Sequence, residues 1–242
     1  MITKTFYLPP IQIEERVRFK KRYFVVRDDV LVGGTKTRFF RHIVTQSPKH
    51  EFVYASPAFG YAQIALADVC ARLGRQAVIF TAARANPHEC TLKAKALGAR
   101  IEWIAPGYLT VVQARAREYV DENFNRATLI PFGGKSSYAQ DLFAEEISAL
   151  KLPVPEVWVA VGSGVLLRTL QAALPKSDFV GVSVGKETFD VGAARMYRAP
   201  EKFERPAFIP PPFPSCVNYV AKVWRFFKNE FVEDALFWNV AA

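Results

Sequence analysis

From residue 51 to residue 185, short apolar runs alternate with longer, helix-like stretches, and this alternation restricts the chain to one fold class. EFVYAS reads as a strand, GYAQIALADVCARLG as an amphipathic helix stopped at Gly74, and RQAVIFTA as the next strand. NPHECTLKAKALG follows as a helix with Pro87 near its start and Gly98 at its end. ARIEWIAP and VVQARAREYVDENF repeat the pair, as do ATLIPF with GGKSSYAQDLFAEEISAL and PEVWVAVGSG with VLLRTLQAALP, before DFVGVSVG closes the series. Strands separated by helices imply right-handed crossovers and a parallel sheet covered on both faces. The expected class is α/β, with parallel-rich twisted sheets covered by helices.

The flanks follow a different pattern. RVRFKKR has five basic residues in seven, with Val17 and Phe19 between them. It reads either as an edge strand with one solvated face or as a patch for nucleic acid or a membrane surface. YFVVRDDVLV reads as a strand breaking at its acidic pair, and TKTRFFRHIVTQ as a helix with Phe39, Phe40 and Ile43 on its apolar face. After Lys186 comes MYRAPEKFERPAFIPPPFPS, too apolar for a disordered tail and too rich in proline for helix or central strand. It reads as an ordered excursion over the body. CVNYVAKVWRFFKNEFVEDALFWNVAA reads as a return to helix with a buried aromatic face.

A chain of 242 residues suffices for one large or two small domains. Half of it is hydrophobic, which argues against disorder. The net charge of +9 favours anionic partners or substrates without bearing on fold. Cys70, Cys90 and Cys216 are odd in number and widely spaced, so neither a disulfide framework nor a zinc knuckle is expected. His42, His50 and His88 have no metal-ligand spacing. The opening MITKTFYLPP lacks the apolar core of a signal peptide and no run approaches a membrane span, so a cytoplasmic location is expected.

Five stretches could carry chemistry. Gly33 and Gly34 permit a tight turn with positive φ, which holds the following Lys36 in place; the plain alternative is a solvated surface lysine. Val161-Gly162-Ser163-Gly164-Val165-Leu166 lies between a strand and a helix, where main-chain amides can cradle a phosphate or simply form a turn. A dinucleotide fingerprint is excluded, because it needs glycine where Leu167 stands. Ser56, Ala58, Phe59 and Gly60 precede a helix whose amides could bind a carboxylate. Gly133 and Gly134 stand before Lys135 in IPFGGKSS, which is not a P-loop because Leu129 occupies the first glycine position. The last is PPFPSCVNYVAKVW, with Ser215, Cys216, Tyr219 and Lys222. No histidine can be tied to Cys216, so a buried structural thiol is expected there.

The run RDDVLVGGTKTRFFRHIV resembles the Schiff-base lysine segment of fold-type II pyridoxal-phosphate (PLP) enzymes, the tryptophan synthase beta-like superfamily. It is most similar to the aminocyclopropane-carboxylate deaminase and D-cysteine desulfhydrase branch, which has Gly-Gly-Asn-Lys-x-Arg after an arginine-aspartate pair. Thr35 stands where that branch has asparagine. GSGVL is similar to the first three positions of the family's Gly-Thr-Gly-Gly-Thr phosphate cup, and ASPAFG occupies the place of its substrate-carboxylate loop, with Phe59 at the asparagine position. FGG resembles the branch's Pro-Tyr-Gly-Gly-Ser segment.

The resemblance implies a two-domain fold-type II architecture. Residues 1–45 plus 150–242 would form a larger cofactor domain and residues 46–149 an inserted smaller one, with PLP in the cleft. Lys36 would carry the cofactor's aldehyde, with Lys135 as its rival. Gly162, Ser163, Gly164, Val165 and Leu166 would hold the phosphate and Ser215 would face the pyridine nitrogen. Ser56, Ala58, Phe59, Gly60, Gly133, Gly134 and Tyr219 would contact an amino-acid substrate. A neutral hydroxyl at the ring nitrogen would favour elimination, deamination or β-replacement over transamination. Family members are commonly homodimers. The basic charge leaves two alternatives open: a PLP enzyme whose acceptor is a nucleic-acid base, as in DNA modification, and a non-catalytic basic binding protein of this fold. Lys4, Arg16, Arg18, Lys20, Lys21, Arg22, Arg27, Lys36, Arg38 and Arg41 are expected to gather positive potential near Lys36.

Overall fold

The computed structural model describes residues 6–105, 107–185 and 191–242; Lys4 and Lys186 lie outside them. In chain order the strands are β1 (Ile13–Arg18), β2 (Lys21–Arg27), β3 (Glu51–Ala55), β4 (Gln76–Ala82), β5 (Arg100–Ile104), β6 (Ala127–Leu129), β7 (Glu156–Val161), β8 (Asp178–Ser183), β9 (Arg195–Arg198) and β10 (Ala235–Asn239). The α-helices are α1 (Lys36–Gln46), α2 (Ala62–Arg72), α3 (Glu89–Ala96), α4 (Leu109–Glu122), α5 (Ser137–Ser148), α6 (Val165–Ala173) and α7 (Trp224–Glu230). The chain divides into two compact units, residues 1–8 with 36–139, and residues 9–35 with 140–242.

The first unit holds a four-stranded sheet in the order β5-β4-β3-β6, parallel throughout. Alternate residues of β3 serve opposite faces, as the two-residue strand period requires. Phe52 and Tyr54 join a core with Phe40, Leu66 and Ile79, while Val53 and Ala55 join another with Phe80, Val112 and Ala116. Helix α2 corrects the expectation of an amphipathic helix. Every residue from Ala62 to Cys70 is buried, with Gln63 and Asp68 among them, so α2 is a core helix.

The second unit holds a six-stranded sheet in the order β1-β2-β10-β7-β8-β9. Only the β1–β2 pair is antiparallel. ALFWN, read from sequence as helix, is the central strand β10, wholly buried between β2 and β7. Four aromatic and aliphatic residues before a terminal asparagine satisfy either period, and burial on both sheet faces removes the alternation that marks a strand. Helix α7 is as short as seven residues, and its Phe227 packs edge-on to Trp158 and Phe237. RVRFKKR is likewise corrected: it spans a β-hairpin rather than one strand. Phe19 and Lys20 form its two-residue loop with φ of 52° and 63°, the left-handed pair that such hairpins require. Within the proline-rich excursion, residues 195–198 form β9, which pairs with β8.

Candidate active site

In open parallel sheets, ligands bind at the carboxyl ends of the strands where the strand order reverses. In the first unit the chain steps from β3 to β4 on one side and later returns to β6 on the other. The loops after β3 and β6 therefore flank that point. They contain Ser56 to Gly60 and Gly133 to Gly134, the segments singled out by the sequence.

Lys36 opens α1 and its Nζ donates a hydrogen bond to the Gly133 carbonyl. The lysine is half-buried, and desolvation lowers its ammonium from the usual 10.5 to about 8. Gly133 also offers a backbone hydrogen bond to the phenol of Tyr54, a buried residue of β3 whose pKa burial pushes up to about 12. Tyr54 was missed from the sequence because it sits in a strand and carries no motif. Gly133 and Gly134 have φ of 75° and 74°, and a Cβ on Gly134 would stand 2.9 Å from the Phe40 ring. The FGG turn is thus a positive-φ turn pressed against α1. Lys135, by contrast, is exposed.

The serine loop is ordered by its own hydrogen bonds. Ser56 donates its backbone N–H to Phe80 O at 2.9 Å and its hydroxyl to Pro57 O at 2.9 Å. Gln63 Nε2 donates to the carbonyl of buried Ala58 at 2.9 Å, while Gln63 Oε1 and, on β4, Thr81 Oγ1 are buried without a hydrogen-bond partner. Phe59 lies against His88, ring centroids 4.2 Å apart, and the Arg84 guanidinium is 5.6 Å from the Phe59 ring centre.

The second unit repeats the topology. The chain steps from β7 to β8, whereas β10 lies on the other side of β7. At the carboxyl end of β7, Gly162, Ser163 and Gly164 lead into α6, with Gly164 at the N-cap in the left-handed region (φ 78°). No side chain caps the helix and no acidic residue stands in its first turn, so the amides of its first turn, at Val165 and Leu166, receive no side-chain cap. A Cβ on Gly162 would stand 2.8 Å from the Tyr219 hydroxyl, which donates a long hydrogen bond to Ala160 O at 3.5 Å.

The Gly33-Gly34 turn belongs to the same edge. Thr35 donates its N–H to Val240 O at 2.8 Å, just past β10, and a Cβ on Gly34 would overlap that carbonyl. Thr35 Oγ1 donates to buried Asp28 at 2.8 Å and accepts from Trp238 Nε1 at 3.1 Å. The residue before Lys36 is thereby locked to Asp28 on one side and to Trp238 and Val240 on the other.

Ser215 is partly buried, its hydroxyl 3.5 Å from Phe213 O. Beside it Asn239, fully buried at the end of β10, donates from Nδ2 to Pro214 O at 2.8 Å and leaves Oδ1 without a partner. Its position at the last residue of a strand was hidden when the segment was read as helix. Cys216 is buried and in no disulfide, as expected, and its N–H donates to Ala241 O at 2.7 Å. Lys222 is buried; its ammonium donates to Lys202 O at 2.9 Å, and desolvation lowers its pKa. Among the described residues no cluster suited to a metal is present, and no helix is long and apolar enough to cross a membrane.

No family model matches the sequence, and no curated protein matches it. Solved structures do. An ACC deaminase homologue superposes with a TM-score of 0.84 at 15% identity, over 99% of this chain and 91% of its own. The O-acetyl serine sulfhydrylase isoform 3 of Entamoeba histolytica superposes with a TM-score of 0.72 at 14% identity, over 96% and 85%. A hydrogen sulfide-producing enzyme of Fusobacterium nucleatum gives 0.70 at 14%, over 96% and 93%. The parallel-rich sheets, the helices that cover them and these superpositions together give the chain the fold of the fold-type II pyridoxal-phosphate enzymes.

Proposed function

We propose that the chain is a PLP-dependent enzyme that acts on an amino acid by elimination, deamination or β-replacement. The observation that carries the reading is Lys36: a desolvated lysine, fixed behind a locked Gly-Gly turn and hydrogen-bonded to Gly133, in a fold-type II fold.

The residues present fit the cofactor. The α6 N-terminus offers uncapped amides and the positive end of a helix dipole, as a phosphate requires. Gly162 leaves the space beside Tyr219 that a side chain would fill. Asn239 Oδ1 and the Ser215 hydroxyl supply polar atoms near the end of β10. PLP, when bound, supplies an electron sink for the charge that develops at a substrate Cα.

The protein's own groups do the rest. Lys36 Nζ would hold the cofactor's aldehyde carbon and, as a free amine, would take up and return a proton at the substrate Cα. Desolvation suits it to this work, because an amine of pKa about 8 is far easier to deprotonate near neutrality than one at 10.5. The Gly133 carbonyl orients that nitrogen. The amides at the start of α2, with Ser56 and Gly60, bind the substrate carboxylate.

Titrating the protein with PLP and recording its absorption tests this reading. A band shifted from that of free PLP, fixed to the protein by borohydride and absent in Lys36→Ala, is the expected result. A spectrum identical to that of free PLP overturns it.

A nucleic-acid acceptor draws little from RVRFKKR. Arg16 pairs with Glu14 at 2.6 Å, Arg22 with Asp234 at 2.5 Å, and Arg18 Nε donates to Lys228 O at 3.2 Å. The excess charge resides elsewhere. The first unit has 15 basic and 7 acidic residues, 15 − 7 = +8, whereas the second has 17 and 16, 17 − 16 = +1.

A further inference from the structure

The +8 of the first unit is unevenly placed. The described residues of the four loops at the carboxyl edge of its sheet, 56–61, 83–88, 105 with 107–108, and 130–136, include no aspartate or glutamate, yet they contribute Arg84, His88 and Lys135. Glu89, the first acid after them, opens α3 and pairs with Lys93 at 3.8 Å. Elsewhere in this unit arginines meet acids: Arg72 pairs with Asp68, Arg100 with Glu102, Arg115 with Glu118 and Arg126 with Glu51. Arg84 and Lys135 have no such partner among the described residues.

Arg84 is held in a defined place. Its guanidinium stands over Phe59 of the serine loop, and Phe59 rests on His88, whose Nδ1 accepts the Cys90 N–H at 3.2 Å. The imidazole is thereby oriented by α3 and packs against the Phe59 ring. β3 and β4 are neighbours in register, Ala55 opposite Phe80, so the loops that follow them emerge side by side. A guanidinium anchored on an aromatic face keeps its donors in one plane and presents them to a carboxylate or phosphate in bidentate geometry.

We propose that the amino-acid substrate carries a second acidic group, a side-chain carboxylate or phosphate, and that Arg84 is the residue that recognises it. This rests on the assignment of Lys36 as the PLP lysine and of the serine loop as the site of the α-carboxylate. An enzyme for neutral amino acids has no use for an acid-free, cationic rim around that loop. For a dianionic substrate the same rim raises local concentration and rejects neutral analogues, which would leave the guanidinium unpaired.

The test uses the PLP-loaded protein and reads the shift of the cofactor's absorption band as amino acids bind. L-alanine and L-serine are compared with L-aspartate and O-phospho-L-serine, in the parent and in Arg84→Gln and Arg84→Lys. Aspartate or phosphoserine should bind at least about tenfold more tightly than the neutral pair, and whichever is preferred identifies the acidic group as carboxylate or phosphate. Arg84→Gln should bring the ratio close to one, and Arg84→Lys should restore part of it. Calorimetry of succinate binding to the PLP-free protein gives a readout independent of the cofactor and should show the same loss in Arg84→Gln. Equal binding of neutral and anionic amino acids, or a preference that survives Arg84→Gln, would overturn the proposal while leaving the Lys36 assignment standing. So would a DNA oligonucleotide that binds through Arg84 in a protein that does not discriminate among amino acids. If PLP gives no band distinct from that of free PLP, the Lys36 assignment itself fails and this inference falls with it.

Discussion

Lys36 Nζ donates to the Gly133 carbonyl across 97 residues of chain, from the first residue of α1 to the turn after β6. A desolvated lysine whose hydrogen-bond partner is a neutral carbonyl is costly to keep charged. Its ammonium is accordingly lowered from 10.5 to about 8.

Lys36 should therefore destabilise the PLP-free protein at neutral pH. Its folded pKa lies below its unfolded one, so the penalty is fully present below about pH 8 and is relieved as pH rises from 8 to 10.5. Lys36→Met should stabilise by about 1–3 kcal/mol at pH 7, a range reduced for the solvent that reaches a half-buried side chain. The gain should shrink towards pH 10.5. Urea unfolding of both proteins at pH 7 and pH 9.5 measures it, and a gain that grows with pH would refute the sign.

Gly34 and Gly74 both have positive φ, 69° and 66°, but only Gly34 faces an obstacle, the Val240 carbonyl. Gly74→Ala should cost about 1 kcal/mol for the left-handed backbone alone. Gly34→Ala should cost about 3 kcal/mol or more, because the turn must move off β10. Thermal melting of the two variants decides; equal losses would mean that the contact with Val240 can relax.

Thr35 joins Asp28 to Trp238 by hydrogen bonds of 2.8 and 3.1 Å. Thr35→Val keeps the shape and removes both bonds, at an expected cost of about 2 kcal/mol. Thr35→Ser should cost less than half of that. Denaturant midpoints of the two variants test the ordering.

Ser163→Asp separates the phosphate site from a simple turn. An acid next to the uncapped N-terminus of α6 should stabilise the PLP-free protein by about 0.5 kcal/mol. The same charge should weaken PLP binding at least about tenfold, since it meets the phosphate. Opposite signs are predicted for melting temperature and cofactor affinity, and unchanged affinity would mean that the loop holds no phosphate.

Much of the fold could be read from the chain because helices and strands alternate at lengths that leave little choice. The glycines were informative for a physical reason. Gly34, Gly134 and Gly164 each occupy a left-handed backbone at a strand-to-helix junction, and such positions announce themselves by residue type. What could not be read has a physical reason too. Ala235 to Asn239 is buried on both faces and loses its alternation. Phe19 and Lys20 adopt left-handed backbone without the Asn or Gly that normally marks a hairpin. Of the candidate site, the Lys36, Ser56 and Gly133 segments were visible as turns. Tyr54, Arg84 and Asn239 were not, because their significance lies in what stands beside them in space.

Borohydride reduction of the PLP-treated protein, followed by peptide mapping, tests the central claim most directly. The account predicts one pyridoxyl group, on Lys36. A pyridoxyl group on exposed Lys135 or buried Lys222, or none at all, would contradict it.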